Sequence, residues 1–120
     1  HTELLALCRM NHIGLALMPL SSTDVNEQHM PGASNKLFEY LACGLALLIS
    51  DLAEWRALYA DYAQVCNPQD AAGIATAVRW FWEHPTERAA MAMRGYARVQ
   101  AEWNYETQFA PVKTLMSKGQ

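Results

Sequence analysis

Basic residues are scarce in this chain: 9 Lys and Arg stand against 12 Asp and Glu, a formal charge of -3, which leaves no basic patch for nucleic acid. Long apolar runs are missing too. No stretch reaches the roughly 18 residues that a membrane-spanning helix needs, and the opening residues lack the charged-then-apolar order of a secretory leader. These absences give the expectation of a cytoplasmic protein. No two cysteines and no two histidines have the spacing of a zinc site, so no metal is expected. Cys8, Cys43 and Cys66 are odd in number and set in apolar surroundings, which suits reduced buried thiols rather than a disulfide framework. Gly and Pro, at 6 and 5, are too few for a disordered or fibrous chain, while a hydrophobic content of 52% can fill a core. One globular domain is expected from these 120 residues.

What is present centres on Ser34-Asn35-Lys36-Leu37-Phe38-Glu39-Tyr40-Leu41-Ala42-Cys43-Gly44, which runs straight into the apolar Leu45 to Ile49. Ser34 suits a helix N-cap, Leu37, Phe38, Leu41 and Ala42 share one side of a 3.6-residue period, and Gly44 fits just past a helix end. A short capped helix feeding a strand follows. Lys36, Glu39, Tyr40 and Cys43 take the opposite side, so a lysine and a carboxylate lie near the first turn with no core to enter. Because a helix N-terminus offers unpaired N–H groups and partial positive charge, the approach Gly32-Ala33-Ser34-Asn35-Lys36 is a candidate anion seat. The plainer alternative is a cap at Ser34 and an exposed Lys36/Glu39 ion pair.

Around this stretch, strand and helix patterns alternate. Ile13 to Leu20 is almost continuously apolar and ends beside Pro19, as expected of a parallel strand covered on both faces. Leu45 to Ile49 reads the same way, and Ala63 to Cys66 is a shorter third strand stopped by Asn67-Pro68. Helices are predicted over Glu3 to Met10 with Thr2 as cap, Leu52 to Ala60 capped by Asp51, and Ala71 to Trp82 capped by Asp70. Two more are predicted over Thr86 to Glu102, opened by Pro85 with Ala89, Met93, Tyr96 and Val99 inward, and over about Tyr105 to Lys118, capped by Asn104. The Trp residues Trp80, Trp82 and Trp103 are expected to pack against the sheet or a further domain. The fold class is therefore α/β: a partial doubly wound parallel sheet of about three strands with a helical C-terminal third. The loop 21–33 (SSTDVNEQHMPGA) leads from the first strand to the central helix, at the strand end where open α/β sheets bind ligands.

Pro31, the stretch Ser34 to Gly44, the strand Leu45 to Ser50, Asp51 with Glu54, and Asn67-Pro68-Gln69-Asp70 together resemble the C-terminal, donor-binding domain of GT-B glycosyltransferases, especially the retaining family 4 type. The likeness continues through Glu83-His84-Pro85-Thr86-Glu87-Arg88 and Ala101-Glu102-Trp103-Asn104-Tyr105-Glu106. It implies a Rossmann-like donor domain of strand order 3-2-1-4-5-6, of which this chain matches strands 4 to 6. The ligand implied is a nucleotide-diphosphate sugar. Glu39 would bind the ribose hydroxyls, Ser34, Asn35 and Lys36 would face the diphosphate, and no metal is implied.

The sequence departs from that family at Pro31, where a sugar-contacting Glu often stands, so Glu27 or Asp24 in the loop is the substitute contact expected. Ala46 replaces the usual Pro. The chain opens on His1, and a longer parent is expected, with an N-terminal acceptor-binding domain that could sit peripherally on the inner membrane. The resemblance also implies that the first strand would have a further neighbour, so an edge open to self-association is expected. On this reading the whole protein transfers a hexose to a cell-surface polysaccharide or glycoconjugate, and the piece alone is inactive. The alternatives are a non-catalytic nucleotide- or phosphate-binding module and a nucleotide-sugar epimerase of the same fold.

Overall fold

The structure, a computed structural model, describes residues 1–30 and 34–119. Its elements in chain order are α1 (Thr2–Cys8), β1 (Ile13–Ala16), α2 (Val25–Gln28), α3 (Asn35–Ala42), β2 (Ala46–Ser50) and α4 (Ala53–Tyr59). One turn of 3-10 helix at Ala60–Tyr62 then precedes β3 (Ala63–Cys66), α5 (Ala71–Glu83), α6 (Pro85–Ala101) and α7 (Tyr105–Lys118). The strands form one parallel sheet of order β1-β2-β3, with Ile13 opposite Ala46 and Leu47 opposite Ala63. This is the partial Rossmann-like α/β arrangement expected, and the last third is helical.

Every residue of β2 is buried, because the strand has a neighbour on each side and helices over both faces. Leu47 and Ile49 join Leu37, Leu41, Trp55, Tyr59 and Val99 in one cluster, whereas Ala46 and Leu48 meet Cys66, Ala77 and Phe81 in another. The period-2 alternation of β2 thus divides the core into two layers. At the end of α3, Gly44 takes φ +77, letting its N–H reach Leu41 O at 3.0 Å while Leu45 N–H reaches Tyr40 O at 3.0 Å. That pairing satisfies the last carbonyls of the helix and turns the chain directly into β2.

Several boundaries and faces differ from expectation. β1 stops at Ala16 rather than running to Leu20, since Met18 is held by a side chain instead of a ladder. Asp51 does not cap α4: Leu52 occupies the cap position, and the carboxylate pairs with Arg56. Thr2 lies inside α1, with His1 at its cap position. Asp70 stands at the cap of α5 without a side-chain cap bond, whereas Asn104 does cap α7, accepting from Thr107 N at 2.9 Å.

α6 turns inward a face that shares Val99 with the one predicted but not Ala89, Met93 or Tyr96. Gly95 and Val99 are buried, with Met91 and Ala92 half-buried, while Met93 is 73% exposed and Tyr96 46%. Closeness decided this. A Cβ on Gly95 would lie 2.4 Å from Leu41 Cδ2 and 3.5 Å from Tyr62 Cβ, so glycine lets α6 lie across the segments that lead into β2 and β3. Arg94 fastens the contact by donating twice to Asp61 O, at 3.2 and 2.9 Å. Beyond it Trp103 meets Phe38, Tyr59 and Tyr62 edge-on at 5.5 to 5.9 Å, with the Arg98 guanidinium 5.0 Å from its ring centre. Trp80 stacks on His84 at 4.5 Å, but Trp82 packs on nothing in the sheet and is 81% exposed. Among the described residues, no helix is long and apolar enough to cross a membrane.

Candidate functional site

Strand β1 and strand β2 both release the chain at the same end of the sheet, β1 into the loop that carries α2 and β2 into α4. Between these two exits lies a groove of about 440 Å³, walled by Pro19 to Ser22, Glu27 and Gln28 on one side and by Leu52 and Glu54 on the other. It is of the size that holds a small ligand and sits at the carboxyl ends of parallel strands, where such ligands are usually bound.

The loop wall is tied together locally. Asp24 caps α2, its carboxylate accepting from Asn26 N at 2.7 Å, so that this single turn of helix forms inside the loop. Ser22 Oγ accepts from Asp24 N at 3.0 Å, and Ser22 O accepts from Gln28 Nε2 at 2.8 Å. These bonds turn Glu27 and Gln28 to the groove. Of the two loop carboxylates singled out by sequence, Asp24 is committed to capping, whereas Glu27 lines the groove and is half-buried.

Two carboxylates with serine hydroxyls make a groove that accepts hydrogen bonds. Such a lining matches a polyol, which offers O–H donors, and repels a phosphate, which offers only further negative charge. Among the described residues no three His, Cys, Asp or Glu side chains gather as a metal site would.

The central helix contributes elsewhere. Ser34 occupies the N-cap of α3, with its N–H donating to Met30 O at 3.1 Å, but its hydroxyl makes no cap bond. Asn35 and Lys36 are exposed on the first turn. Glu39 stays out of the core: its side chain is 36% exposed and lies 3.5 Å from His1 Nε2, so its close neighbour is a histidine rather than Lys36. None of Ser34, Asn35, Lys36 and Glu39 lines the groove that holds Glu27. Pro31, Gly32 and Ala33, the remainder of the candidate anion seat, lie outside the described residues. Tyr40, next to Glu39, presses its ring on Gly14, where an added Cβ would come within 2.3 Å of it. Burial, then the nearby Cys8 and Glu39, pushes its phenol above the usual range.

An aromatic hollow of about 410 Å³ lies away from the strand ends, between Phe38, Leu58, Trp103 and Tyr105. It has little polar chemistry to offer, since Asn104 beside it spends its amide on Val99 O, Gln100 O and Thr107 N. Sequence reasoning named Glu54 beside Asp51 in the family resemblance but did not join it to Glu27, and it passed over Gln28, Ser22 and Ser50. The one signal for Ser50 was a hydroxyl at the end of an otherwise apolar run, which a buried strand cannot leave unpaired.

A family model described as glycosyl transferase-like matches residues 1–114. No curated protein and no solved structure matches the chain significantly.

Proposed function

The chain belongs to the glycosyl transferase-like family, and from that premise we propose that it forms the C-terminal half of a nucleotide-sugar-binding domain of the GT-B kind. The donor's sugar would lie in the groove between Glu27 and Glu54, whose carboxylates accept from its hydroxyls. The diphosphate would face the first turn of α3, where the N–H groups of Asn35 and Lys36 and the lysine charge are exposed. One turn on, Glu39 would take the ribose hydroxyls, exchanging its contact with His1 for two O–H donors. The groove at the carboxyl ends of β1 and β2, acceptor-rich and bordered by Glu27 and Glu54, is the observation that carries this reading.

The chemistry follows from charge. As the bond from the anomeric carbon to the diphosphate breaks, negative charge grows on the leaving oxygens, and preorganised N–H donors at a helix start stabilise that charge more than they stabilise the bound substrate. No metal has a part in this scheme. The acceptor would be supplied through a further, N-terminal domain of a longer cytoplasmic protein. A helix terminus contributes only ~0.3 to 2 kcal/mol toward an anion, against the roughly 8 kcal/mol of micromolar binding. The chain alone is therefore expected to bind donors weakly and to transfer nothing.

Saturation-transfer NMR with UDP, GDP, UDP-glucose and GDP-mannose tests the assignment. Glu39→Gln is expected to weaken nucleotides and nucleotide sugars alike, and Glu27→Gln only the sugar-bearing ligands. Binding of none of the four to the unaltered chain, or identical responses to both substitutions, would sink it.

A further inference from the structure

Ser50 is 0% exposed and, among the described residues, is the buried polar one of the core. Its hydroxyl makes two short bonds to one residue across the sheet, accepting from Met18 N at 2.6 Å and donating to Met18 O at 2.6 Å. The reason lies in how the two strands part. β1 and β2 are paired from Ile13–Ala46 to Ala16–Ile49, and Ala46 N donates to His12 O at 3.2 Å, so alternate residues of β1, counting from His12, turn their backbone groups toward β2. Met18 falls on that alternation. Its expected partners in a parallel ladder are Ser50 O and Leu52 N. These two instead bond each other, Leu52 N to Ser50 O at 2.8 Å, as β2 curls away into α4, while Asp51 N is taken by Cys66 O at 2.9 Å. Two rungs are lost, and one hydroxyl replaces both.

We infer that Ser50 is a positioning residue for the groove: its hydroxyl sets the distance between the wall that carries Glu27 and the wall that carries Glu54. Met18 opens directly into Pro19 to Ser22, which are bonded through Ser22 to Asp24 and Gln28, and Ser50 opens directly into Leu52 and Glu54. Without the hydroxyl, Met18 N–H and C=O have no strand partner at the point where both walls begin, and the loop can slide along β2. The inference rests on the groove's being the sugar site only for its functional consequence. The clamp itself is decided independently.

The experiment is amide exchange by NMR on the full chain, comparing Ser50→Ala and Ser50→Thr with Ile49→Val, which removes a core methylene one residue away while leaving the hydroxyl. In Ser50→Ala the Met18 amide is expected to exchange at least about tenfold faster, with shifts confined to Leu20 to Ser22 and Leu52 to Glu54. Ser50→Thr, which keeps the hydroxyl, is expected to hold Met18 near its original rate, and Ile49→Val to loosen β2 and the helices α3, α4 and α6 packed on Ile49 without singling out Met18. Unchanged Met18 exchange in Ser50→Ala, or a uniform rise like that of Ile49→Val, would overturn the clamp. A parallel titration with UDP-glucose is expected to weaken in Ser50→Ala. If UDP-glucose fails to bind the unaltered chain, the sugar-site reading fails, and the exchange rates still decide Ser50.

Discussion

Cys66 closes β3 against Phe81 and Ala77, and burial, then the neighbouring Asp51 and Asp70, pushes its thiol above the ordinary range. Cys43 is raised as well, by burial and then by Cys8, which lies against it between α1 and α3. For a raised thiol the folded state favours the neutral form, so its contribution to stability is complete below the unfolded thiol pKa and is lost as pH rises through the folded value. Titration with a disulfide reagent at pH 8 is expected to show Cys66 reacting at least about tenfold more slowly in the native chain than in denaturant. Equal rates would contradict its burial. At this same scale the sequence was partly readable. The exposed side of α3 was legible because period and capping are local, whereas the partner of Glu39 was not: His1 reaches it only through the packing of α1. Likewise Glu27 could be named as a loop carboxylate, but its meeting with Glu54 depends on two strand exits being neighbours.

Among the elements, α6 teaches most. Apolar size pointed to Ala89, Met93, Tyr96 and Val99 as its inner face, and of these Val99 is buried, yet the helix is seated by its smallest residue, because Leu41 Cδ2 stands where a Cβ would go. Hydropathy patterns weigh side chains, not the closeness of backbones, and a glycine at a helix crossing is invisible to them. Gly95→Ala is expected to destabilise the fold by about 1 to 3 kcal/mol despite the better helix propensity of alanine, as overpacking outweighs a gain of under about 1 kcal/mol. Chemical denaturation measures it, and a more stable variant would show that α6 can shift at no cost. β3 and β2, by contrast, were found within one residue, since a short apolar run bounded by Asn67-Pro68 or by Gly44 has little freedom to be anything else.

Taken as a whole, the molecule is drawn out, 58 by 35 by 26 Å, with a radius of gyration of 16.1 Å against about 13.6 Å for a compact chain of this length. None of the residues of α7 is buried. The other open margin is β1, which pairs with β2 alone, shows 48% of Leu15 and carries neither Lys nor Pro to blunt it. Association between copies along that strand is expected, and Leu15→Lys should abolish it in sedimentation velocity, with the Tm held near its original value. Dimers that persist in the variant would move the contact elsewhere.

Gly95 sets the two ends of the sheet apart. By drawing α6 over the leading ends of β2 and β3, it seals one pole of the sheet with hydrocarbon and leaves the other pole to short polar loops that share few residues with that seal. The two poles can therefore drift apart in evolution. Substitutions from Ser21 to Gln28 can retune what is recognised while the scaffold keeps its thermodynamic margin, and a mutational scan should sort into two weakly correlated sets, one governing abundance and one governing affinity.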